Sequence, residues 1–544
     1  MTNYIFISGG VISGIGKGTT AASIALLLKH AGYRVVPIKF ENYLNIDAGT
    51  INPIEHGDVF LCEDGTEADM DIGTYEKFLD QEMGQENFIT MGRIYQTVIE
   101  KERRFEYLGE DVEAIPHITN EIQSRIINLG KKHKADFVVI ELGGTAGEYQ
   151  NVLYYEAARI MKLKYPKNVA HIHVSYIPVP PHLDEPKTKP TQLSIRTLNS
   201  MGIQPDILIA RSEKKIDERR KKRLALFGNI DDAMIISNPN VKTIYEVPQI
   251  FYEQQLEIKI QKIFGLPEKR TKLSLWKSFL KKVQSPKKEK ITVAIVGKYF
   301  GSGDYHLRDS YAALFDAIEH ASVHLNIETK TLWVDAQKVE ERGEKIIGQP
   351  DGIIVPIGWG ERGAEGMIKA ASYARRKKIP YLGLCYGMQL AVVAYARDIL
   401  GYKEANTQEN DPLTLYPVIH LMPKQKKFME KRAYGGTMRL GGWLAKVKPN
   451  TLASKIYDGK EIISERHRHR YEFNDHYAKE FENHGLILSA RSVDEGLVEM
   501  IELPQTVHPF YFGIQGHPEY KSRPLKPHPV FLSFLKAVLS NRAN

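Results

Sequence analysis

The chain has 544 residues, room for two or more domains, with 42% hydrophobic, 26% charged and 10% aromatic residues, the balance of an ordinary globular protein. A net charge of +8, from 74 Lys+Arg against 66 Asp+Glu, is too small to argue for a nucleic-acid partner and suits a surface that attracts phosphorylated substrates. Two cysteines, Cys62 and Cys385, exclude a disulfide framework and point to a reducing, cytoplasmic setting; no apolar run is long enough to span a bilayer, and the N-terminus reads as a first strand rather than a signal peptide.

Short apolar runs at 4–8, 35–39, 137–141, 170–174 and 206–210 read as strands, and 20–31 and 120–131 as helices. This rhythm predicts an α/β fold with a mainly parallel sheet covered on both faces. Between the first strand and the first helix lies Ser8-Gly9-Gly10-Val11-Ile12-Ser13-Gly14-Ile15-Gly16-Lys17-Gly18-Thr19-Thr20. Such a loop aims backbone N–H groups at phosphate, the helix N-terminus adds its dipole, and Lys17 adds a point charge. The spacing departs from the strict P-loop, because Gly18 follows the lysine where Ser or Thr is usual; a glycine turn that binds nothing is the bland alternative. Lys39 ends the second strand, at the carboxyl edge where doubly wound sheets bind ligands. Asp71 and Glu141 follow as carboxylates suited to Mg²⁺ beside a phosphate loop, although each alone also reads as a solvated acid. Lys187-Thr188-Lys189-Pro190-Thr191-Gln192, with Arg223 on a later basic helix, reads as either a second phosphate grip or surface charge.

The composition changes at 267–290, where lysine-rich ends flank a short amphipathic piece holding Trp276 and Phe279; it reads as a linker. A second βα series follows, with strands at 291–296, 352–356, 379–384 and 510–515 and a helix at 388–395. Gly383-Leu384-Cys385-Tyr386-Gly387 sits at a strand-to-helix turn, the thiol version of a nucleophile elbow, where the helix N-terminus favours a thiolate. Gly516-His517-Pro518-Glu519 supplies a base and an orienting acid. A buried cysteine acting as a small apolar residue is the competing reading. His467 and His469, at alternate positions with no cysteine nearby, are weak evidence for a metal.

Further segments carry a resemblance: Pro53-Ile54-Glu55-His56-Gly57, Glu63-Asp64-Gly65, Lys101-Glu102-Arg103-Arg104, Pro116-His117-Ile118-Thr119-Asn120, Gly202-Ile203-Gln204-Pro205-Asp206, Gly435-Gly436-Thr437-Met438-Arg439-Leu440-Gly441 and Arg466-His467-Arg468-His469-Arg470-Tyr471-Glu472. With the 9–18 loop and 187–192 they make the chain resemble the CTP synthases over nearly its whole length. The resemblance implies a P-loop-like amidoligase domain of the dethiobiotin-synthetase type over 1–266 and a class I glutamine amidotransferase domain over 291–544, both with mainly parallel sheets. It implies a ligase in which ATP phosphorylates O4 of UTP, and ammonia from glutamine, or free ammonia, displaces the phosphate to give CTP. It also implies Mg²⁺, GTP as an activator, and a homotetramer that can form filaments. By position, Ser13, Gly14, Ile15, Gly16, Lys17, Gly18, Thr19 and Asp71 would meet ATP, with Lys17 and Lys39 on the transferring group and Asp71 and Glu141 on Mg²⁺. Ser13, Glu148, Gln150, Lys187, Thr188, Lys189, Gln192 and Arg223 would meet UTP or CTP, and His56 would sit by an ammonia passage. Cys385, His517 and Glu519 would be the glutaminase triad, with Gly358, Gln389, Glu409 and Arg470 on glutamine.

Several positions depart from that family's pattern. In Pro356-Ile357-Gly358-Trp359-Gly360, Ile357 stands where the family carries the first of two adjacent glycines, at the expected oxyanion hole. A β-branched residue resists positive φ, so glutamine-dependent turnover is expected to be weak and free ammonia the better source. Glu148-Tyr149-Gln150 replaces a usual Asp-Ile-Glu, Glu41-Asn42 an Asp-Pro, Glu113 a glutamine and Arg223 a lysine, while Lys426-Lys427-Phe428 lacks an arginine associated with GTP. An amidoligase of the same architecture with another acceptor, and a weakened assembly or regulatory paralogue, stay as alternatives.

Overall fold

The computed structural model describes residues 2–53, 57–302, 305–306 and 308–543. The chain forms two compact units, one of Met1–Asp47 and Asp71–Leu280, the other of Ala48–Met70 and Lys281–Asn544. The ammonia-passage residue of the sequence reading, His56, lies outside the described residues.

The first unit holds a seven-stranded sheet in the order Phe88–Thr90, Val35–Glu41, Phe137–Leu142, Asn3–Gly10, Val169–Ile177, Ile207–Ser212, Ile235–Pro239. Every pairing is parallel. The central strands Asn3–Gly10 and Phe137–Leu142 are buried throughout, as near-continuous apolar runs require when helices cover both faces. The helix Lys17–His30 packs an alanine- and leucine-rich stretch under the sheet. Its entrance is Gly16 at φ 93, a left-handed conformation that glycine adopts without a Cβ clash. The expected linker contains the helix Ser274–Gln284, whose Trp276, Phe279 and Leu280 recur at helical spacing and are buried. Trp276 donates its indole N–H to Tyr245 O at 2.9 Å and packs on Phe78, so this helix is part of the first unit's core.

The second unit holds a nine-stranded sheet in the order Ile327–Asp335, Glu289–Gly297, Gly352–Val355, Tyr381–Leu384, Tyr511–Ile514, Val498–Glu502, Ile487–Ser492, Arg439–Val447, Ile462–His469. The first five strands pair in parallel and the remaining pairings are antiparallel. Helices Ala312–Leu325, Ala364–Lys377 and Tyr386–Asp398 supply the crossovers of the parallel part. The excursion Ala48–Met70 packs on the antiparallel part: Arg466 donates to Leu61 O at 2.8 Å and pairs with Glu63, and Arg468 pairs with Glu67 at 2.7 Å. Among the described residues no helix is long and apolar enough to cross a membrane.

Candidate active site

In the first unit the candidate residues gather at the carboxyl ends of three adjacent strands. Lys39 faces three carboxylates: it hydrogen-bonds Asp71, lies 2.8 Å from Glu41 Oε1 and 3.9 Å from Glu141 Oε1. Lys17 reaches over the sheet edge and donates to Gly144 O at 2.7 Å. Tyr75 donates its hydroxyl to Glu141. Burial, only partly offset by Lys39, pushes the Glu141 carboxyl up to about 8. The departure at Gly18 has a steric cause: a Cβ there would lie 1.9 Å from Asp71 Oδ1. A Cβ at Gly9 would first meet the Lys17 side chain, with Cδ at 2.8 Å. Of the loop itself, Ser13 and Gly14 are exposed, Ile15 is buried, and Gly16 and Thr19 are half-buried.

The 187–192 segment opens the helix Lys189–Ser200. Thr188 is buried and accepts from Gln192 Nε2 at 3.1 Å, while Lys187 pairs with Glu185 at 2.7 Å. Arg220 also meets this loop, through Glu185 at 2.7 Å and Pro186 O at 3.0 Å; Arg223 is exposed on the same helix, Glu218–Gly228. Gln150 and Tyr149 are exposed at the far side of the 143–151 loop.

In the second unit Cys385 is the turn residue the elbow motif predicts, at φ 52 and ψ −102 and buried. Its Sγ accepts from Gln515 Nε2 at 3.5 Å and lies 3.8 Å from Arg468 O. His517 Nδ1 is 2.8 Å from Glu519 Oε1, and its ring stacks on Tyr520 with centroids 5.2 Å apart. Its Nε2 is buried without a hydrogen bond among the described residues. Burial disfavours the charged ring, but Cys385 and then Glu519 outweigh it and raise His517 to about 10.

Around this pair, Gln389 donates to Tyr471 O at 2.9 Å and to Gln515 Oε1 at 3.1 Å. Glu409 accepts from Gly360 N–H at 2.7 Å. Arg470 donates to Gln425 at 2.6 Å, Thr437 Oγ1 at 3.0 Å and Tyr434 O at 2.6 Å. A cavity of about 610 Å³ lies beside them, lined in part by Trp359, Glu409, Arg468, Arg470 and Tyr471. His467 and His469 do not form a metal centre: their four ring nitrogens are engaged by Glu499, Glu465 O, Arg439 and Tyr471 O.

The comparisons with known proteins agree with this division of chemistry. A family model described as "CTP synthase N-terminus" matches residues 3–266, and one described as "Glutamine amidotransferase class-I" matches 306–537. CTP synthase of Thermococcus gammatolerans is 46% identical over 539 residues, 99% of this chain and 98% of that protein. CTP synthase of Thermus thermophilus is 44% identical over 544 residues, 99% of this chain and 97% of that protein. The chain belongs to the CTP synthase family. Among solved structures, the Trypanosoma brucei CTPS glutaminase domain with bound acivicin is 33% identical and covers 46% of this chain and 94% of its own, with a TM-score of 0.42.

As a member of the CTP synthase family the chain is an enzyme, a ligase with a glutamine amidotransferase domain, and neither of the alternative readings is favoured. Two departures from the family pattern meet each other: Asn42 Nδ2 donates to Glu148 Oε2 at 3.2 Å, while Glu148 Oε1 accepts from the N–H and hydroxyl of Thr145. Another, Glu41, places its carboxylate 2.8 Å from Lys39 Nζ. Ile357 is not in a left-handed conformation, and its carbonyl accepts from Tyr311 OH at 3.3 Å. Sequence reasoning passed over Gln515, Arg468, Tyr520 and Lys298. Only Gln515 carried a local signal, standing two residues before His517 at the end of the strand Tyr511–Ile514.

Proposed function

We propose that the protein makes CTP by ATP-dependent amination of UTP, with glutamine or free ammonia as nitrogen source. The arrangement that carries this reading is Lys17, Lys39, Asp71 and Glu141 gathered at one sheet edge beside the 9–18 loop. Phosphorylating a carbonyl oxygen demands charge stabilisation more than covalent help. The loop's N–H groups, from Ser13 to Thr19, and Lys17 bind the ATP phosphates, and Lys39 meets the charge that develops on the group in transfer. Buried Glu141 and half-buried Asp71 are hard oxygen donors, and burial holds Glu141 up to about 8 despite Lys39, which fits Mg²⁺. When bound there, Mg²⁺ supplies neutralisation of the phosphate charge. Lys187, Thr188, Lys189, Gln192, Arg223, Glu148 and Gln150 are assigned to UTP and CTP.

At the second centre Cys385 attacks the glutamine amide carbon, and His517, held by Glu519, protonates the leaving ammonia and then activates water. Gln389, Glu409, Gly358 and Arg470 orient glutamine. GTP activation, a homotetramer, filaments and a cytoplasmic location belong to the same reading, by likeness to the family. The test is CTP formation from ATP and UTP, first with ammonium, then with glutamine. CTP from both supports the reading; folded protein that binds ATP and makes no CTP from ammonium overturns it.

A further inference from the structure

The loop 356–360 lies against Tyr386, the residue after the nucleophile: a Cβ on Gly358 would be 3.0 Å from the Tyr386 ring. It is held from behind by a buried cation. Lys298, immediately after the strand Glu289–Gly297, sends its ammonium to Trp359 O at 3.0 Å, to Gly360 O, and to Tyr386 OH at 3.5 Å. The same ammonium sits 4.4 Å from the centre of the Tyr386 ring. Tyr386 OH also donates to Gly360 O at 2.9 Å, and Tyr299 OH accepts from Trp359 N–H at 3.1 Å. Because a peptide is planar and trans, fixing a carbonyl on one side fixes the next N–H on the other. The Ile357 carbonyl, held by Tyr311, thus turns the Gly358 N–H away from Tyr311, and the Trp359 carbonyl on Lys298 turns the Gly360 N–H to Glu409.

Among the described residues the ammonium is within salt-bridge distance of no carboxylate, so its burial is not explained by ion pairing. A buried charge without a close counter-ion is costly, and an apolar side chain of similar length would fill the space more favourably. What the ammonium does provide is donors to two carbonyls of one short loop and to the hydroxyl of Tyr386. We infer that Lys298 is a positioning residue of the glutaminase, setting the peptide orientations of 356–360 against Tyr386 and, through Gly360, against Glu409. This rests on the glutaminase reading of Cys385. The groups facing Lys298 are Glu409, Arg362, Glu340, Tyr299, Tyr311 and Tyr386. Burial, with Glu409 opposing it, lowers Lys298 to about 8, while the three tyrosines are all pushed up and stay neutral there.

The test compares wild type, K298M and K298R, taking the ratio of glutamine-dependent to ammonia-dependent CTP formation, with free NH3 held constant, at pH values either side of 8. In wild type the ratio falls as pH rises through about 8, in kcat more than in KM for glutamine. K298M lowers the ratio about 100-fold below pH 8, the scale of losing one oxyanion-hole donor, and by less above it. K298R recovers part of it and loses the alkaline fall, because a guanidinium stays charged. A K298M ratio equal to wild type, or an alkaline fall unchanged in K298R, overturns the inference while leaving the glutaminase standing. A wild type that makes CTP from ammonium but never from glutamine overturns the glutaminase reading, and this inference with it.

Discussion

Gly387 tests the elbow from underneath. A Cβ added there would lie 1.9 Å from Val355 O and 2.8 Å from Val355 C, backbone atoms of the adjacent parallel strand that cannot rotate away. Ordinary contact begins at 3.4 Å, so the first turn of the helix Tyr386–Asp398 must withdraw by about 1.5 Å (3.4 − 1.9). That movement also pulls on the hydrogen bond from Tyr381 OH to Gly387 O, 2.9 Å long. Overpacking of a well-filled core costs ~1–3 kcal/mol, and a clash with backbone belongs at the upper end, about 3 kcal/mol. Cys385 precedes this turn, and a ~1 Å misplacement of a reacting group costs about 100-fold in rate. Gly387→Ala is therefore expected to cut glutamate release from glutamine about 100-fold, lower the melting temperature, and spare CTP formation from ammonium. Glutamate release close to wild type in a folded G387A protein would refute the account of how the helix seats the nucleophile.

Lys17→Ala should abolish CTP formation with either nitrogen source; CTP at wild-type rates from ammonium would remove Lys17 from phosphate binding. Ile357→Gly should raise glutamine-dependent turnover relative to ammonium-dependent turnover, because the peptide gains access to positive φ; an unchanged ratio would show that Ile357 does not limit the glutaminase. Burial opposes the Glu499 carboxylate, but His467 and then Arg439 hold it down to about 2. Its folded pKa is depressed, so its contribution is present above 4.5 and lost as pH falls toward 2. That gap, at ~1.4 kcal/mol per pH unit, is about 3 kcal/mol. Glu499→Gln should lower the urea midpoint at neutral pH and flatten its fall in acid; a midpoint and acid slope equal to wild type would exclude the ion cluster as a source of stability.

Much of the molecule was legible locally. Apolar runs such as Phe137-Val138-Val139-Ile140 specify buried parallel strands, because two covered faces leave no position for a polar alternation. Gly16 and the Gly-x-Cys-x-Gly turn write their backbone needs directly into residue choice: positive φ at Gly16, close helix–strand approach at Gly387. Lys17, Lys39, Glu141, Cys385 and His517 are readable because each stands next to a strand end or a glycine turn. What tertiary structure alone decided is which of these ends meet. At Gly18, where a phosphate motif usually carries Ser or Thr, Asp71 Oδ1 lies 1.9 Å from the position a Cβ would take. Residues 48–70 pack with the second unit through Arg466–Glu63 and Arg468–Glu67, pairs about 400 positions apart with no local periodicity to announce them. Lys298 and Gln515 are ordinary residues in sequence; they became part of the site when the strands Glu289–Gly297 and Tyr511–Ile514 were laid on either side of the pair Gly352–Val355 and Tyr381–Leu384. Local conformational demands are carried by single residues and short spacings, whereas side-chain partners follow from strand order, which the crossovers of the folded chain determine.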